Sequence, residues 1–168
     1  GKTQLINEIE RFLPIDGEQF LTKYAEPMVG GGALLFNILS KYYFEELYIS
    51  DVNPELINAY TVVRDNVDLL AEKLSEMQSI FLPMNENGRK YYYYNARDKF
   101  NNLKLSEETV IDKAALFIFL NKTCFNGLYR VNKKGQFNVP MGAYKKPTIC
   151  DENNLRNISE ALQNVTIV

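Results

Sequence analysis

Three consecutive glycines constrain the fold of this chain more than any other feature. Gly30, Gly31 and Gly32 stand between a strand-like run at residues 20–26 and an apolar run at 33–42 with helical spacing. A glycine loop between a strand and a helix brings backbone N–H groups close to a ligand. It also removes the side chains that would block this approach. The order predicts an α/β fold with a ligand at the loop.

An acidic residue follows the second predicted strand. Residues 46–50 read as a strand that ends at Asp51, 19 residues after Gly32, and a helix follows with Asp51 or Asn53 as its N-cap. An acid in this place accepts hydrogen bonds from ribose hydroxyls. Because the glycines do not follow G-x-G-x-x-G, S-adenosylmethionine is favoured over a dinucleotide. A glycine-rich turn with a helix-capping aspartate is the structural alternative, and a nicotinamide-type Rossmann enzyme is another function to test.

The rest of the chain predicts a mostly helical block inside an α/β domain. We expect an amphipathic helix over 4–13 and helices between 55 and 120, with 55–77 as one long periodic segment. A helix over 151–164 and a strand over 165–168 follow. One α/β domain interrupted by an insertion explains this order.

Residues 128–139 have a different pattern. Two short alternating runs flank Lys133-Lys134-Gly135, which predicts a β-hairpin with the glycine at positive φ and Pro140 at its end. The tyrosine run 91–94 is expected to pack mostly between helices.

Composition excludes several chemistries. The chain has no histidine, so it offers no histidine base or histidine metal ligand, and its two cysteines cannot form a structural zinc site unaided. We expect no metal site. The 168 residues suit one domain with a small insertion, and no apolar run is long enough to span a membrane. The two distant cysteines favour a reduced, cytoplasmic setting.

Charge is distributed unevenly along the chain. Residues 113–150 contain seven basic residues and no acid, which gives this stretch a charge of +7. Because the net charge of the whole chain is −2, the rest of the chain has a net charge of −9. This pattern indicates a polyanionic partner for the basic part, with a solvated surface as the alternative.

Within this stretch, Arg130 suits bidentate contacts to guanine, and the neighbouring asparagines suit contacts to adenine. Lys133 and Lys134 are expected to contact phosphates. Phe125, Leu128 and Pro140 would then pack on bases or fill the gap that a displaced base leaves. Alternatively, Phe125, Leu128 and Phe137 form the core of the hairpin.

Several motifs follow one another in a recognisable order. They are EPMVGGGA at 26–33, DVNPELIN at 51–58, the stretch 92–101, NKTCFNGLYRVN at 121–132 and GQFNVPMG at 135–142, preceded by Gly1-Lys2. In this order they resemble the Dam-type (D12 class) DNA adenine-N6 methyltransferases over nearly the whole chain.

The resemblance implies a fold, an activity and a set of residues. The family transfers a methyl group from S-adenosylmethionine to N6 of a flipped adenine in double-stranded DNA, most often in a GATC-like site. The fold would be a partial Rossmann-like methyltransferase sheet (1–55 and 144–168) with a mostly helical DNA-recognition insertion and hairpin (56–143). The cofactor-binding residues would be Lys2, Glu26, Pro27, Met28, Gly30, Gly31, Gly32 and Asp51. The residues matching the DNA-reading hairpin are Lys122, Phe125, Asn126, Leu128, Arg130, Asn132 and Pro140.

Two departures from the family pattern bear on activity. Met28 replaces the usual phenylalanine, and the D-P-P-Y motif, which orients the adenine amino group in the family, does not occur. We therefore expect a truncated enzyme, bacterial or phage in origin, that is inactive alone and that self-associates through an exposed sheet edge. The alternative is a DNA-binding module, or a subunit of a split enzyme, whose partner supplies D-P-P-Y.

Overall fold

The protein combines a small parallel sheet with helices. A computed structural model describes residues 2–13 and 20–168, with side chains for 4–13 and 22–168. Its strands are β1 (Phe20–Pro27), β2 (Tyr43–Ser50) and β3 (Val165–Ile167), in the order β1-β2-β3. The α-helices of these ranges are α1 (Ile6–Glu10), α2 (Ala33–Leu39), α3 (Pro54–Asp65), α4 (Val67–Phe81), α5 (Glu86–Asn102), α6 (Val110–Thr123) and α7 (Glu152–Leu162). The predicted α/β class is confirmed.

The sheet places the ends of β1 and β2 side by side. Both strand pairs are parallel, with Pro27 opposite Ser50 and Leu47 opposite Val165. Carboxyl ends of parallel strands lie at one edge, where α/β folds bind ligands. The side chains of Leu47 and Ile49 are buried, because every second residue of β2 points into the core.

Helix α3 begins at the residue pair that the sequence indicates. The Asn53 side chain accepts a hydrogen bond from the Glu55 N–H at 3.1 Å, and Pro54 occupies the first helical position. Of the two predicted capping residues, Asn53 is therefore the N-cap of α3.

The long periodic segment predicted over 55–77 is divided between two helices. At Asn66 the backbone has φ −137° and ψ 37°, which ends α3 and starts α4. Arg64, two residues before Asn66, makes hydrogen bonds to residues outside α3. Its carbonyl accepts from Ser159 and Gln163, and its guanidinium donates to the Val165 carbonyl at 2.8 Å. These long-range bonds fix the break, which helical periodicity alone does not reveal.

The N-terminal helix is shorter than predicted. A 3₁₀ turn covers Lys2–Leu5, and α1 covers only Ile6–Glu10 of the expected 4–13. The following N–H groups of Phe12 and Leu13 bond to carbonyls three residues back, which tightens the last turn. The Phe12 side chain is 85% exposed, so little apolar burial supports a longer helix.

The tyrosine run on α5 packs mainly between helices, as predicted. Tyr93 is fully buried and donates from its hydroxyl to the Val139 carbonyl at 2.9 Å. Tyr92 makes edge contacts with Phe81 and Phe119. Only Tyr91 points outward, because successive helical residues face different directions. The run therefore attaches the segment around Val139 to the helical core.

The predicted two-stranded hairpin over 128–139 forms only in part. The chain does reverse, with Gly135 at φ +77°, but a single isolated bridge joins Val131 and Phe137. The Asn101 side chain of α5 makes two hydrogen bonds to the backbone of Phe137. It accepts from the N–H at 2.8 Å and donates to the carbonyl at 3.0 Å. The two runs are joined by the bonds from the Asn138 N–H to the Arg130 carbonyl and from the Asn132 N–H to the Gln136 carbonyl, so Asn101 pairs with the outer edge of the run that contains Phe137. Residues 125–140, to which the family resemblance assigns DNA reading, are called the reading loop below.

The helices and the sheet share one interior. Buried side chains of β2, of α3 to α7 and of the reading loop form a continuous cluster, which includes Ile49, Leu74, Phe119 and Phe137. No helix in the described ranges is both long and apolar enough to cross a membrane.

The Tyr93 contact predicts a specific loss of stability. In Tyr93→Phe, the Val139 carbonyl loses its buried donor, so the free energy of unfolding in urea should fall by about 1–2 kcal/mol. The control Tyr91→Phe removes the hydroxyl of the exposed neighbour and should stay within about 0.5 kcal/mol of wild type. Equal effects of the two substitutions would contradict a structural role for the Tyr93 hydroxyl.

Candidate functional site

The glycine loop makes a tight connection between β1 and α2. Val29 is buried, and its N–H bonds to the Ser50 carbonyl at 2.9 Å, which continues the pairing of β1 with β2. Met28, Gly30 and Gly32 have φ values of 61°, 55° and 70°. Such left-handed backbone is easily adopted by glycine and is uncommon for methionine. The loop therefore turns within a few residues and leaves its outer face open.

Asp51 joins the glycine loop to the start of α3. One carboxylate oxygen accepts from the Gly30 N–H and the other from the Asn53 N–H, both at 3.0 Å. A carboxylate has about four acceptor positions, so hydroxyl donors can still bind. Asp51 is partly exposed at the end of β2, the position from which the sequence predicts that it accepts hydroxyl groups of a ribose.

A second carboxylate lies at the end of β1. Glu26 is buried, and its carboxylate accepts from the Tyr24 hydroxyl at 2.9 Å. Tyr60 of α3 donates from its buried hydroxyl to the Gly30 carbonyl at 2.8 Å. Burial, followed by the negative charges of Glu26 and Asp51, raises the pKa of Tyr60 well above its usual range. The Tyr60 hydroxyl therefore remains a donor at neutral pH, between two acids.

Sequence reasoning missed both tyrosines. Tyr60 lies on the apolar face of α3, where its spacing predicts a core residue, and nothing local indicates the Gly30 contact. Tyr24 lies two residues before Glu26 on β1, so strand alternation places the two side chains on one face. That alternation is a usable signal for Tyr24.

The remaining predicted cofactor residues lie partly at the glycine loop and partly at the N-terminus. Pro27 and Met28 are exposed at the loop, and a Cβ added to Gly31 would meet no atom within 4 Å. Gly31 therefore faces open space. Lys2 begins the N-terminal 3₁₀ turn, and its side chain lies outside the described ones.

The reading loop exposes apolar side chains at its beginning. Phe125 and Leu128 are 51% and 46% exposed, on either side of a turn in which Asn126 has φ 54°. The N–H of Phe125 donates to the Pro140 carbonyl at 2.9 Å, which closes the loop. The side chains of Phe125 and Leu128 are therefore accessible for the first predicted role, which is contact with bases. Of the alternative hairpin core, Phe137 is buried, whereas Phe125 and Leu128 are exposed.

Hydrogen bonds hold the polar side chains of the reading loop. Arg130 donates from Nε to the Asn138 side chain at 2.8 Å, which orients the guanidinium, and sequence reasoning did not single out Asn138 for this. Asn132 accepts from the N–H groups of Lys134 and Gln136 and so shapes the turn. Arg130 is available for outward contacts, whereas the Asn132 side chain is engaged within the loop.

The basic stretch separates into a buried and an exposed part. Lys113, included in the predicted polyanion-binding charge, is buried in the helical core, so this part of the prediction is wrong. Its ammonium is satisfied there by two carbonyls and by Glu55. The other six cations are exposed: Lys122, Arg130, Lys133, Lys134, Lys145 and Lys146.

A cleft of about 340 Å³ separates the two predicted ligand sites. Residues 52–55, directly after Asp51, line one side of it, and Tyr129, Val131 and Gly135 of the reading loop line another. The structure thus brings the acidic end of β2 next to the reading loop. Within the described ranges, no group of three histidine, cysteine or carboxylate side chains is placed to hold a metal ion.

The glycine loop predicts opposite behaviour for two adjacent residues. A Cβ at Gly32 would lie 2.6 Å from both the Phe36 ring and the Tyr60 hydroxyl, at positive φ. Gly32→Ala should therefore lower the free energy of unfolding by about 1–3 kcal/mol. Gly31→Ala is the matched control and should remain within about 1 kcal/mol of wild type. Thermal unfolding of both variants measures this, and equal stability of the two would contradict the described loop geometry.

Comparison with known proteins identifies the family of this chain. A family model described as D12 class N6 adenine-specific DNA methyltransferase matches residues 1–168. The type II methyltransferase M.MjaIII of Methanocaldococcus jannaschii is 52% identical over 169 aligned residues, which cover 100% of this chain and 58% of that protein. The type II methyltransferase M1.LlaDCHI of Lactococcus lactis is 37% identical, over 99% of this chain and 54% of its own length.

A third relative carries a different name. The DNA adenine methylase of Escherichia coli K12 is 35% identical over 98% of this chain and 52% of its own length. The chain thus spans about half the length of the curated relatives it matches. Because the family model covers every residue, the chain belongs to the D12 class of N6 adenine-specific DNA methyltransferases.

Proposed function

We propose that this chain forms the S-adenosylmethionine pocket and the DNA-reading part of a site-specific DNA adenine-N6 methyltransferase. The observation that carries the proposal is the position of Asp51, which bonds to the glycine loop and directly precedes residues 52–55, which line the cleft shared with the reading loop. Residues 1–55 and 144–168 would form the cofactor-binding part, and 56–143 the DNA-recognition insertion. A GATC-like site is the proposed target.

The donor set fits the proposed cofactor. When bound, S-adenosylmethionine supplies an activated methyl group on a positively charged sulfur. The Asp51 carboxylate would accept from the ribose hydroxyls, and the buried negative charge of Glu26 would favour a cation beside the glycine loop. Gly31 leaves space for close contact, because nothing lies within 4 Å of its missing Cβ. Pro27, Met28 and Gly30 border the same loop, and Lys2 is proposed to contribute from the N-terminal turn.

The reading loop has the features needed to bind a DNA groove. The guanidinium of Arg130, oriented by Asn138, is suited to the O6 and N7 atoms of guanine. Phe125 and Leu128 present apolar surface that can fill the space left by a displaced base. Lys122, Lys133 and Lys134 are proposed to contact phosphates, and Asn126, Asn132 and Pro140 to shape the loop.

Methyl transfer also requires a group that holds the adenine amino nitrogen. The family resemblance assigns this to D-P-P-Y, and these four residues do not occur together in the 168 residues. We propose that the chain binds both ligands but transfers no methyl group unless that motif is supplied. Transfer then depends on positioning, since a displacement reaction needs the nitrogen in line with the methyl carbon.

Cofactor binding tests the role of Asp51. In Asp51→Asn, the negative charge that accepts the ribose hydroxyls is lost, so the Kd for S-adenosylmethionine should rise about tenfold to a hundredfold in calorimetry. Asp68→Asn is the control, because Asp68 pairs with Arg156 on the surface. Unchanged affinity in Asp51→Asn, or binding of NAD in place of S-adenosylmethionine, would refute the assignment of this pocket.

Salt dependence tests DNA binding by the reading loop. For a GATC-containing duplex, the slope of log K against log salt should become shallower by about 2 in the Lys133→Gln/Lys134→Gln variant, because two phosphate contacts are lost. Lys73→Gln is the control, because Lys73 pairs with Asp112 between α4 and α6. An equal change of slope in both proteins, or none in either, would exclude the tip of the reading loop as a phosphate-binding site.

A further inference from the structure

Lys113 is a buried cation that connects three helices. Its ammonium donates to the Phe100 carbonyl at 2.6 Å and the Leu103 carbonyl at 2.7 Å, both at the C-terminal end of α5. It also lies 3.2 Å from a carboxylate oxygen of Glu55 at the start of α3. A cation is favourable at a helix C-terminus, where carbonyls are left without partners. Lys113 thus holds the end of α5 against the turn that follows Asp51.

The end of α5 in turn holds the reading loop. Asn101, one residue after Phe100, makes two hydrogen bonds to the backbone of Phe137. The Phe137 ring packs against Tyr129 with ring centroids 5.7 Å apart. A continuous path of polar and ring contacts therefore runs from Glu55 through Lys113 and α5 to the reading loop.

Tyr129, at the end of this path in the reading loop, faces the start of α3. Burial raises the pKa of Tyr129, and the nearby Asn53 side chain counteracts part of this effect. Asn53 is the N-cap of α3, and its own N–H donates to Asp51. Tyr129 and residues 53–55 line the same cleft. The reading loop therefore lies across this cleft from the turn that carries the proposed ribose-binding acid.

We infer that Glu55, Lys113 and Tyr129 are positioning residues that couple cofactor binding at Asp51 to DNA binding at the reading loop. This inference rests on the proposed function of both sites. A ligand that orders the Asp51–Glu55 turn also orders its partners on α6 and in the loop, so the second ligand binds a chain that is already arranged. The coupling must act in both directions.

Calorimetry with two ligands tests the inference on this chain. The Kd of S-adenosylmethionine is measured alone and with a saturating GATC-containing duplex. In the wild type, DNA should tighten cofactor binding by about fivefold or more. In Glu55→Gln and in Tyr129→Phe, this gain should fall below about twofold, because the link across the cleft is weakened. Glu152→Gln removes the charge of a surface ion pair with Arg156 and should keep the full gain.

The outcomes separate the inference from the proposed function. A wild type that binds both ligands without any gain, or variants that keep the wild-type gain, would overturn the inference and leave the proposed function intact. A wild type that binds neither ligand would refute the proposed function itself. If Glu55→Gln does not fold, Tyr129→Phe decides, since it removes one hydroxyl from a side chain that is 42% exposed. A loss of stability with an undiminished gain would show a structural role only and would also overturn the inference.

Discussion

The two hydrogen bonds of the Asp51 carboxylate hold together the edge of the sheet where β1 and β2 end. One oxygen holds the N–H of Gly30 and the other the N–H of Asn53, so one side chain fixes the glycine loop relative to α3. The Tyr60 hydroxyl reinforces the arrangement through the Gly30 carbonyl. In a ligand-free chain these bonds satisfy a carboxylate at the end of a strand. The same carboxylate keeps acceptor positions for hydroxyl groups, so one residue serves both the fold and the proposed pocket.

The reading loop depends on contacts made outside it. It has one isolated bridge and few bonds of its own, and two residues outside it attach it to the helices: Tyr93, which bonds to Val139, and Asn101, which bonds to Phe137. Both residues lie on α5, and the buried Lys113 fixes the end of that helix. A rigid helix is a firmer support for a binding loop than a short ribbon, whose own hydrogen bonds are few.

Local signals predicted the elements of the pocket well. The glycine triplet, the strand that ends at Asp51 and the Asn53-Pro54 helix start each depend on neighbouring residues, and the structure has all three. Long-range contacts were not accessible in this way. The break at Asn66 is fixed by bonds between Arg64 and residues about a hundred positions away, and the burial of Lys113 depends on carbonyls of another helix. The same holds for Tyr60, whose contact with Gly30 lies across the fold.

A structure of the chain with bound S-adenosylmethionine would test the central claim most directly. The account predicts both ribose hydroxyls within about 3 Å of the Asp51 carboxylate. It also predicts the sulfonium end beside Glu26, with Gly31 in contact with the ligand. A cofactor bound elsewhere, or bound at the glycine loop with its ribose turned away from Asp51, would contradict it.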